Sequence, residues 1–185
     1  MLDVVVAGGG YVGLSVAVAI KQAAGHLNVQ VIEAAPDDVW KKDVRASAII
    51  AAATRMLDVF GIWSEIEPEA QPINRMIVTD SKTADPVRPV FLTFDGAVEE
   101  GRPFAHMVPN VAMVGALRGL CDRLGIEIRH GLSVSGFTAG AQSTAISLSD
   151  GSSLDARLLI ACDGVRSALR DMAGIKTVQW DYDQA

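Results

Sequence analysis

The chain has 185 residues, half of them apolar and 21% charged, with a mean hydropathy of +0.28; it buries a core and is not a disordered segment. Lys and Arg number 16 against 22 Asp and Glu, a net charge of −6, and aromatic residues make up only 5%, which excludes the basic, base-stacking surface that a nucleic-acid partner needs. Cys121 and Cys162 stand in no metal or redox spacing and read as buried thiols of a reducing compartment; His26, His106 and His130 are scattered, so no metal site is expected.

Leu2 to Ala7 (LDVVVA) reads as a buried strand of a parallel sheet. It runs into Gly8-Gly9-Gly10-Tyr11-Val12-Gly13 and then a helical pattern to about Ala24, with Val12, Val16 and Ile20 on one face, Gly13 and Ala17 on the next, and Gly25 as C-cap. The 17 residues from Val4 to Ile20 carry no charge and approach the length of a membrane span, but Asp3 stands where a basic flank belongs and three consecutive glycines would break the helix. Asn28 to Glu33 is a second strand, which completes a first βαβ unit.

Pro36 to Val44 is a polar loop. Ser47 to Phe60 has a helical pattern closed by Gly61, Ile73 to Thr79 alternates like a strand, and Val90 to Phe94 is another. The section from Ile73 to Val108 has antiparallel character. Asn110 to Leu124 is a helix with Val114, Leu117, Cys121 and Leu124 as its buried stripe and Asn110 as N-cap. Ile126 to Arg129 starts a strand; Val134–Phe137, Thr144–Leu148 and Ser153–Asp155 form a meander with Asp150-Gly151 as a hairpin turn. Leu158 to Ala161 is a further buried strand, followed by Asp163-Gly164 and a short helix to about Ala173. Trp180 to Ala185 reads as the opening of one more strand.

Gly8, Gly10 and Gly13 form G-x-G-x-x-G between a strand and a helix, the context in which this motif binds a dinucleotide. The first glycine makes the turn, the second admits a pyrophosphate to the backbone, and the third lets helix and strand pack closely. Glu33 ends the second strand 20 residues past Gly13. A carboxylate there accepts hydrogen bonds from the adenosine ribose and repels a 2′-phosphate, so the nucleotide at this site is not NADP. A nicotinamide domain would continue with further βα units. The antiparallel section, helix and meander that follow instead are typical of two-domain flavoproteins. In the later LLIACDGVRSALR segment, Asp163 ends a strand, from which a carboxylate can reach a ribose or pyrophosphate; equally, Asp163 or Ser167 can cap the following helix.

The glycine motif with Glu33, the stretch Asp43-Val44-Arg45-Ala46-Ser47-Ala48 and the DGVRSALR segment resemble the class A flavoprotein aromatic hydroxylases. RASAI at 45–49, FGIW at 60–63, EAQPI at 69–73, IVTDS at 77–81 and the approach from Gly101 to Asn110 resemble, more narrowly, the ubiquinone-biosynthesis hydroxylases acting on polyprenyl phenols. The fold the resemblance implies is α/β: a Rossmann-like FAD-binding domain with a β-meander and part of an antiparallel substrate-domain sheet. It divides the chain into 1–72 and 110–175 for the FAD-binding domain, 73–109 for partial substrate-domain strands and 176–185 for the start of a truncated substrate domain.

The resemblance implies FAD as cofactor and NAD(P)H as reductant. Gly8, Gly10 and Gly13 would hold the pyrophosphate and Glu33 the ribose. Arg45 would contact the flavin side of FAD, although a solvated pair with Asp43 is the plainer reading; Asn110 would meet the ribityl chain, with or without capping its helix. Asp163 would serve FAD and NAD(P)H together, and Arg166 and Arg170 could attract nicotinamide-cofactor phosphates or stand solvated. No acid or base residue is nominated, because the cofactor carries the hard chemistry. Such hydroxylases are longer and hold the ribityl chain with a Gly-Asp motif, and no Gly-Asp occurs here. The chain therefore reads as the N-terminal half of an enzyme, inactive alone, with Ile73, Met76, Ile77, Val78, Val90, Phe91 and Leu92 lacking their usual cover. The expected substrate is a polyprenyl phenol or other aromatic small molecule. The expected location is the cytoplasm, with room for peripheral membrane association and homo-oligomerisation of the full-length enzyme. The alternatives are another FAD oxidoreductase of the same fold, such as a reductase or epoxidase on a lipid-like substrate, and a non-catalytic nucleotide-binding fragment.

Overall fold

The structure is a computed structural model, and it describes residues 1–79, 81–82, 84–95, 97–99, 102–178 and 180. Packing divides the chain into two compact units, Met1–Trp40 with Leu117–Ala185, and Lys41–Ala116.

The first unit opens with β1 (Leu2–Ala7), whose last four residues are all buried. That continuous apolar run fits a strand covered on both faces. The helix α1 (Tyr11–Ala23) buries Gly13, Leu14, Ala17 and Val18. The buried stripe is thus rotated from the expected Val12–Val16–Ile20 face, and Val12 is 55% exposed. The two small residues, Gly13 and Ala17, decide the contact because they let the helix axis come closest. Ala24, not Gly25, caps the helix, its N–H donating to the Ile20 carbonyl. β2 (Val29–Glu33) then pairs parallel to β1.

The second unit follows a 3-10 turn at Val39–Lys42. Where a helix over Ser47–Phe60 was expected, the chain forms β3 (Ala46–Ile50) and only then α2 (Ala51–Val59). Residues of this composition can read as helix or strand; the backbone partners offered by a distant strand decide for β3. After α3 (Trp63–Ile66), the expected strand Ile73–Thr79 is broken at Asn74 into β4 (Gln71–Ile73) and β5 (Arg75–Thr79). β6 (Val90–Asp95), β7 (Ala97–Glu99), β8 (Arg102–Pro103) and β9 (Ala105–Pro109) complete it. All pairings are antiparallel: β3-β9-β4 form one sheet, and β5-β6 and β7-β8 are hairpins. Leu57, Phe60, Ile62, Ile66, Ala105 and Val108 are buried. On β5 and β6, by contrast, Met76, Ile77, Val78, Val90, Phe91 and Leu92 are exposed, Phe91 at 74%, as the sequence led us to expect, whereas Ile73, expected to lack cover with them, lies on β4 and is half-buried.

The helix α4 (Asn110–Arg123) leads back to the first unit. Its buried residues include Val114, Leu117 and Cys121 as expected, joined by Met113 and Leu120, whereas Leu124 lies beyond the helix and is half-buried. Burial pushes the Cys121 thiol up to about 11, and raises that of the half-buried Cys162. β10 (Glu127–His130), β11 (Val134–Ala139), β12 (Thr144–Leu148) and β13 (Ser153–Ala161) then follow. The expected third meander strand and the separate strand Leu158–Ala161 are one, β13. It pairs antiparallel with β12 through Ala156 and parallel with β1 from Ala156 onward. One face of it is open, with Leu158 at 50% exposure, so it is not the fully buried strand expected. The six-stranded order is β10-β2-β1-β13-β12-β11, and β1 lies where the chain's crossovers diverge to either side. The helix α5 (Ala168–Met172) closes the unit. Trp180 is not in a strand, and the rest of the expected last strand lies outside the described residues. No helix among the described residues is long and apolar enough to cross a membrane.

Val5, Ala7, Ile32, Val134, Ile146, Leu148, Ala156 and Leu169 pack into one apolar cluster. Ile146 is fully buried within it. Replacing Ile146 with Ala should therefore cost about 2–5 kcal/mol through lost burial and a residual cavity; urea unfolding measures it, and a loss below 1 kcal/mol would show that the cluster collapses around the vacancy.

Candidate cofactor-binding site

The carboxyl ends of β1, β2 and β13 open on a cleft of about 470 Å³ in the first unit. It is lined by backbone and side chains of Gly8, Gly10, Glu33, Leu132, Asp163 and Arg166, among others. In open α/β sheets this end, at the point where the strand order reverses, is where ligands bind.

Two glycines explain how the cleft is built. Gly8 has φ +114°, and a Cβ there would stand 2.2 Å from the Cys162 carbonyl oxygen at the end of β13. At Gly13 a Cβ would stand 1.9 Å from the Gly8 carbonyl oxygen. Neither position tolerates a side chain, whatever is bound. Around them, Gly8 N–H donates to the Ile32 carbonyl (2.8 Å) and Cys162 N–H to that of Ala7 (2.7 Å), which splices the three strand ends together.

Gly10 is different. A Cβ there meets nothing within 4 Å, so the protein itself does not demand glycine. Gly10 is also the N-cap of α1, with extended backbone and no side-chain cap. The first N–H groups of a helix have no intrahelical partner, and the helix dipole makes this end positive. An open, uncapped helix end facing a cleft fits a pyrophosphate.

Glu33 sits at the end of β2, and its carboxylate is already engaged. One oxygen accepts from the Gly9 N–H and the other from the Ala35 N–H at 2.7 Å. A Cβ on Gly9 would lie 2.9 Å from the Glu33 Cβ. The middle glycine is thus part of the site through its fit against Glu33, a role that the motif spacing does not announce. A carboxylate has about four acceptor sites, so the same oxygens still have capacity for ribose hydroxyls.

Asp163 lines the cleft but turns its oxygens toward α5. One accepts from the Ser167 hydroxyl, the other from the Leu169 N–H at 3.1 Å. Burial works against its ionisation, but these hydrogen bonds outweigh it and hold the carboxyl below its ordinary value. Ser167 caps α5 by accepting from the Arg170 N–H at 3.0 Å. The capping geometry considered from the sequence is therefore present. The two arginines of this segment separate clearly. Arg170 braces the loop, donating to the Val165 carbonyl (3.0 Å) and to Asp171 (3.2 Å). Arg166 lines the cleft and makes no ion pair or hydrogen bond among the described residues.

The structure brings Gly8, Gly10, Glu33 and Asp163 to one cleft, with Gly13 immediately beneath. Leu132, Ser133 and Val134, after β10, also line it and were missed. The signal was the topology: β10 pairs parallel beside β2, so its carboxyl end must emerge next to Glu33.

Arg45 and Asn110 lie in the second unit and meet each other through Asp43. The Asp43 Oδ1 accepts from the Arg45 N–H (3.0 Å) and Nε (2.8 Å), and Oδ2 from Arg45 Nη2 (2.8 Å) and Asn110 Nδ2 (3.2 Å). These bonds, those from the Arg45 side chain first, hold the Asp43 carboxyl well below the usual carboxylate range. The plain Asp43–Arg45 pair anticipated from the sequence is thus what the loop forms. Asn110 opens α4 and is buried; its Oδ1 accepts from the Ser47 hydroxyl at 2.7 Å.

A βαβ glycine turn, an acid at the end of the second strand and a switch-point cleft define a dinucleotide-binding fold. The chain belongs to the FAD binding domain family, whose profile it matches over residues 1–182. It is 33% identical to the ubiquinone hydroxylase UbiL of Rhodospirillum rubrum over 98% of this chain and 42% of that protein. It is 32% identical to the mitochondrial ubiquinone biosynthesis monooxygenase COQ6 of Mus musculus over 99% of this chain and 41% of that protein. Among solved structures, the OxyS anhydrotetracycline hydroxylase of Streptomyces rimosus superposes with a TM-score of 0.74 at 25% identity, covering 97% of this chain and 35% of that one. The chain spans about two fifths of the length of these curated relatives.

The contrast between two glycines gives a test. Gly10→Val should leave the melting temperature near that of the parent and abolish FAD retention, because the added side chain fills only the ligand's space. Gly8→Ala should lower the melting temperature outright. Thermal scans with flavin absorbance read both, and a flavin-loaded Gly10→Val protein would contradict the assignment of the cleft.

Proposed function

We propose that this chain is the N-terminal FAD-binding part of an FAD- and NAD(P)H-dependent monooxygenase that hydroxylates a phenolic ring in ubiquinone biosynthesis. The observation that carries the reading is the uncapped end of α1 at Gly10, open to the cleft, in a chain similar to ubiquinone hydroxylases along nearly its whole length. When bound, FAD supplies reduction by NAD(P)H and the activation of dioxygen for transfer of one oxygen atom to the ring.

The chain's own residues bind and orient. The backbone at Gly8 and Gly10 and the first turn of α1 receive the pyrophosphate, while Gly13 keeps the helix close enough for its N–H groups to reach. Glu33 accepts the ribose hydroxyls with the oxygens that also order the glycine loop. Asp163 shapes the opposite wall by holding the turn before α5, and Arg166 offers a cation at the cleft to a phosphate of FAD or of the nicotinamide reductant. Arg45 and Asn110 serve the flavin side, toward the ribityl chain. In the same reading the substrate is a polyprenyl phenol or similar aromatic. Its isoprenoid tail partitions into lipid, which favours a cytoplasmic full-length enzyme peripheral to a membrane, free to form homo-oligomers.

In the full-length protein, Glu33→Ala should weaken FAD binding by about 1–3 kcal/mol, the scale of hydrogen bonds to a charged group. Calorimetric titration measures the loss, and unchanged affinity would remove Glu33 from the site. NAD(P)H consumption by the full-length protein should rise on adding a polyprenyl phenol, with a hydroxylated product found by mass spectrometry; oxidation without an oxygenated product would favour the reductase alternative.

A further inference from the structure

We propose that Arg118 is a positioning residue for the cofactor cleft: its guanidinium ties the loop that follows β2 to the end of β10, and so fixes the carboxylate of Glu33 between them. The proposal rests on the reading above, in which Glu33 meets the ribose of FAD. Arg118, Asp37, Trp40 and His130 all belong to the first unit, as do the residues that line the cleft.

The four side chains form a cluster outside the cleft. Arg118 projects from α4, and its side chain is only 14% exposed. A charge withdrawn this far from water needs partners. Its Nη2 donates to Asp37 Oδ1 and to His130 Nε2, the latter at 3.0 Å. An arginine has no acceptor, so Nε2 is the accepting nitrogen of His130. The two acceptors lie 3.4 Å from one another, and the donor they share is what holds them there. The same guanidinium stands over the Trp40 ring, 5.3 Å from its centroid, within the range of a cation–π contact.

What the cluster ties together is one wall of the cleft. His130 is the register partner of Glu33 in the β10–β2 pair, and Asp37 lies four residues past Glu33. Close to the strands the two loops already meet: the Leu132 N–H donates to the Glu33 carbonyl at 3.1 Å and the Gly131 N–H to the Ala35 carbonyl at 3.2 Å. The Ala35 N–H in turn donates to Glu33 Oε1 at 2.7 Å. Ala35 is therefore the residue through which the loop holds the carboxylate, and Arg118 fastens that loop from outside, two residues further on. Glu33, Ala34, Leu132, Ser133 and Val134, which these bonds connect, all line the cleft.

The consequence for binding is order imposed before the ligand arrives. A carboxylate free to turn about its side-chain torsions loses that freedom on meeting a ribose, and the loss is deducted from affinity. Here the Ala35 N–H has already selected the orientation, provided that the loop stays where Arg118 holds it. A side chain that supports a binding group from behind acts only through that group. Removing Arg118 should therefore be felt through Glu33, whereas a cation acting on the cofactor at a distance would be felt whether Glu33 is present or not.

The test uses full-length apo-protein and two probes. FAD is titrated by flavin fluorescence; ADP, which carries the ribose and the pyrophosphate without the flavin, is titrated by calorimetry. Arg118→Met should raise both dissociation constants about tenfold, the scale of one hydrogen bond to a charged group. A loss for FAD alone would place the effect at the other end of the cofactor and overturn the proposal. In a Glu33→Ala background Arg118→Met should add little, because both act through one carboxylate. Single losses that multiply in full would overturn it. A lowered melting temperature with unchanged dissociation constants would mean a structural role only, and would also overturn it. Glu33→Ala separates the two levels. If it leaves FAD binding unchanged, the underlying reading of Glu33 fails; if it weakens binding while Arg118→Met does not, only the role of Arg118 fails. Should Arg118→Met not fold, Asp37→Ala, at a side chain that is 68% exposed, cuts the tie at its outer end and is read in the same way.

Discussion

The first unit depends on a close approach that side chains would forbid. β1, α1 and β13 meet where Gly8 and Gly13 leave room: a Cβ on either would fall about 2 Å from a backbone carbonyl oxygen. A contact that short is strongly repulsive for a non-bonded carbon and oxygen, so the convergence exists only because both positions are glycine. The convergence brings the amino end of α1 to the carboxyl edge of the sheet, beside the point where the strand order reverses. An electropositive helix end, unsatisfied N–H groups and a crevice thereby coincide.

Once that frame is in place, the polar groups around the cleft divide into those the protein uses itself and those it does not. Glu33 ties the glycine loop to β2 through Gly9 and Ala35, and Asp163 orders the turn before α5 through Ser167 and Leu169. Arg170 braces the same turn from the other side through Val165. Each of these has an internal reason to be what it is. Gly10 and Arg166 have none among the described residues: the space at one is open, and the charge of the other has no partner. In the proposed function, this glycine and this arginine, both lining one cleft, are the groups left to meet the anionic part of the cofactor.

The second unit follows the same logic at Asp43, where one carboxylate organises a loop arginine and the first residue of a helix. It differs in its apolar surface. The hairpin β5-β6 pairs only with itself among the described residues, and its outward residues Phe91, Val90 and Ile77 are more than half exposed. A two-stranded ribbon has no second layer to bury such side chains, so they stay accessible.

The first βαβ unit was legible in the sequence because its signals are local. A β-branched run, three glycines at fixed spacing, a helical pattern and an acid at the next strand end each constrain their own few residues, and they agree. The same holds for the Gly61 helix stop and the Asp150-Gly151 turn, where positive φ selects glycine. What the sequence left open depends on partners far away in the chain. Ala46–Ile50 is a strand only because β9 offers it a backbone ladder, and Ser153–Ala161 is one strand only because β12 and β1 line up on either side of it. The buried face of α1 turned on which residues let the helix come nearest the sheet, a matter of size against a surface not yet placed. Likewise no local pattern tells that Glu33 holds Gly9 or that Asp43 chooses the orientation of Asn110. Hydrogen-bond partners across 24 and 67 residues exist only once the chain has folded.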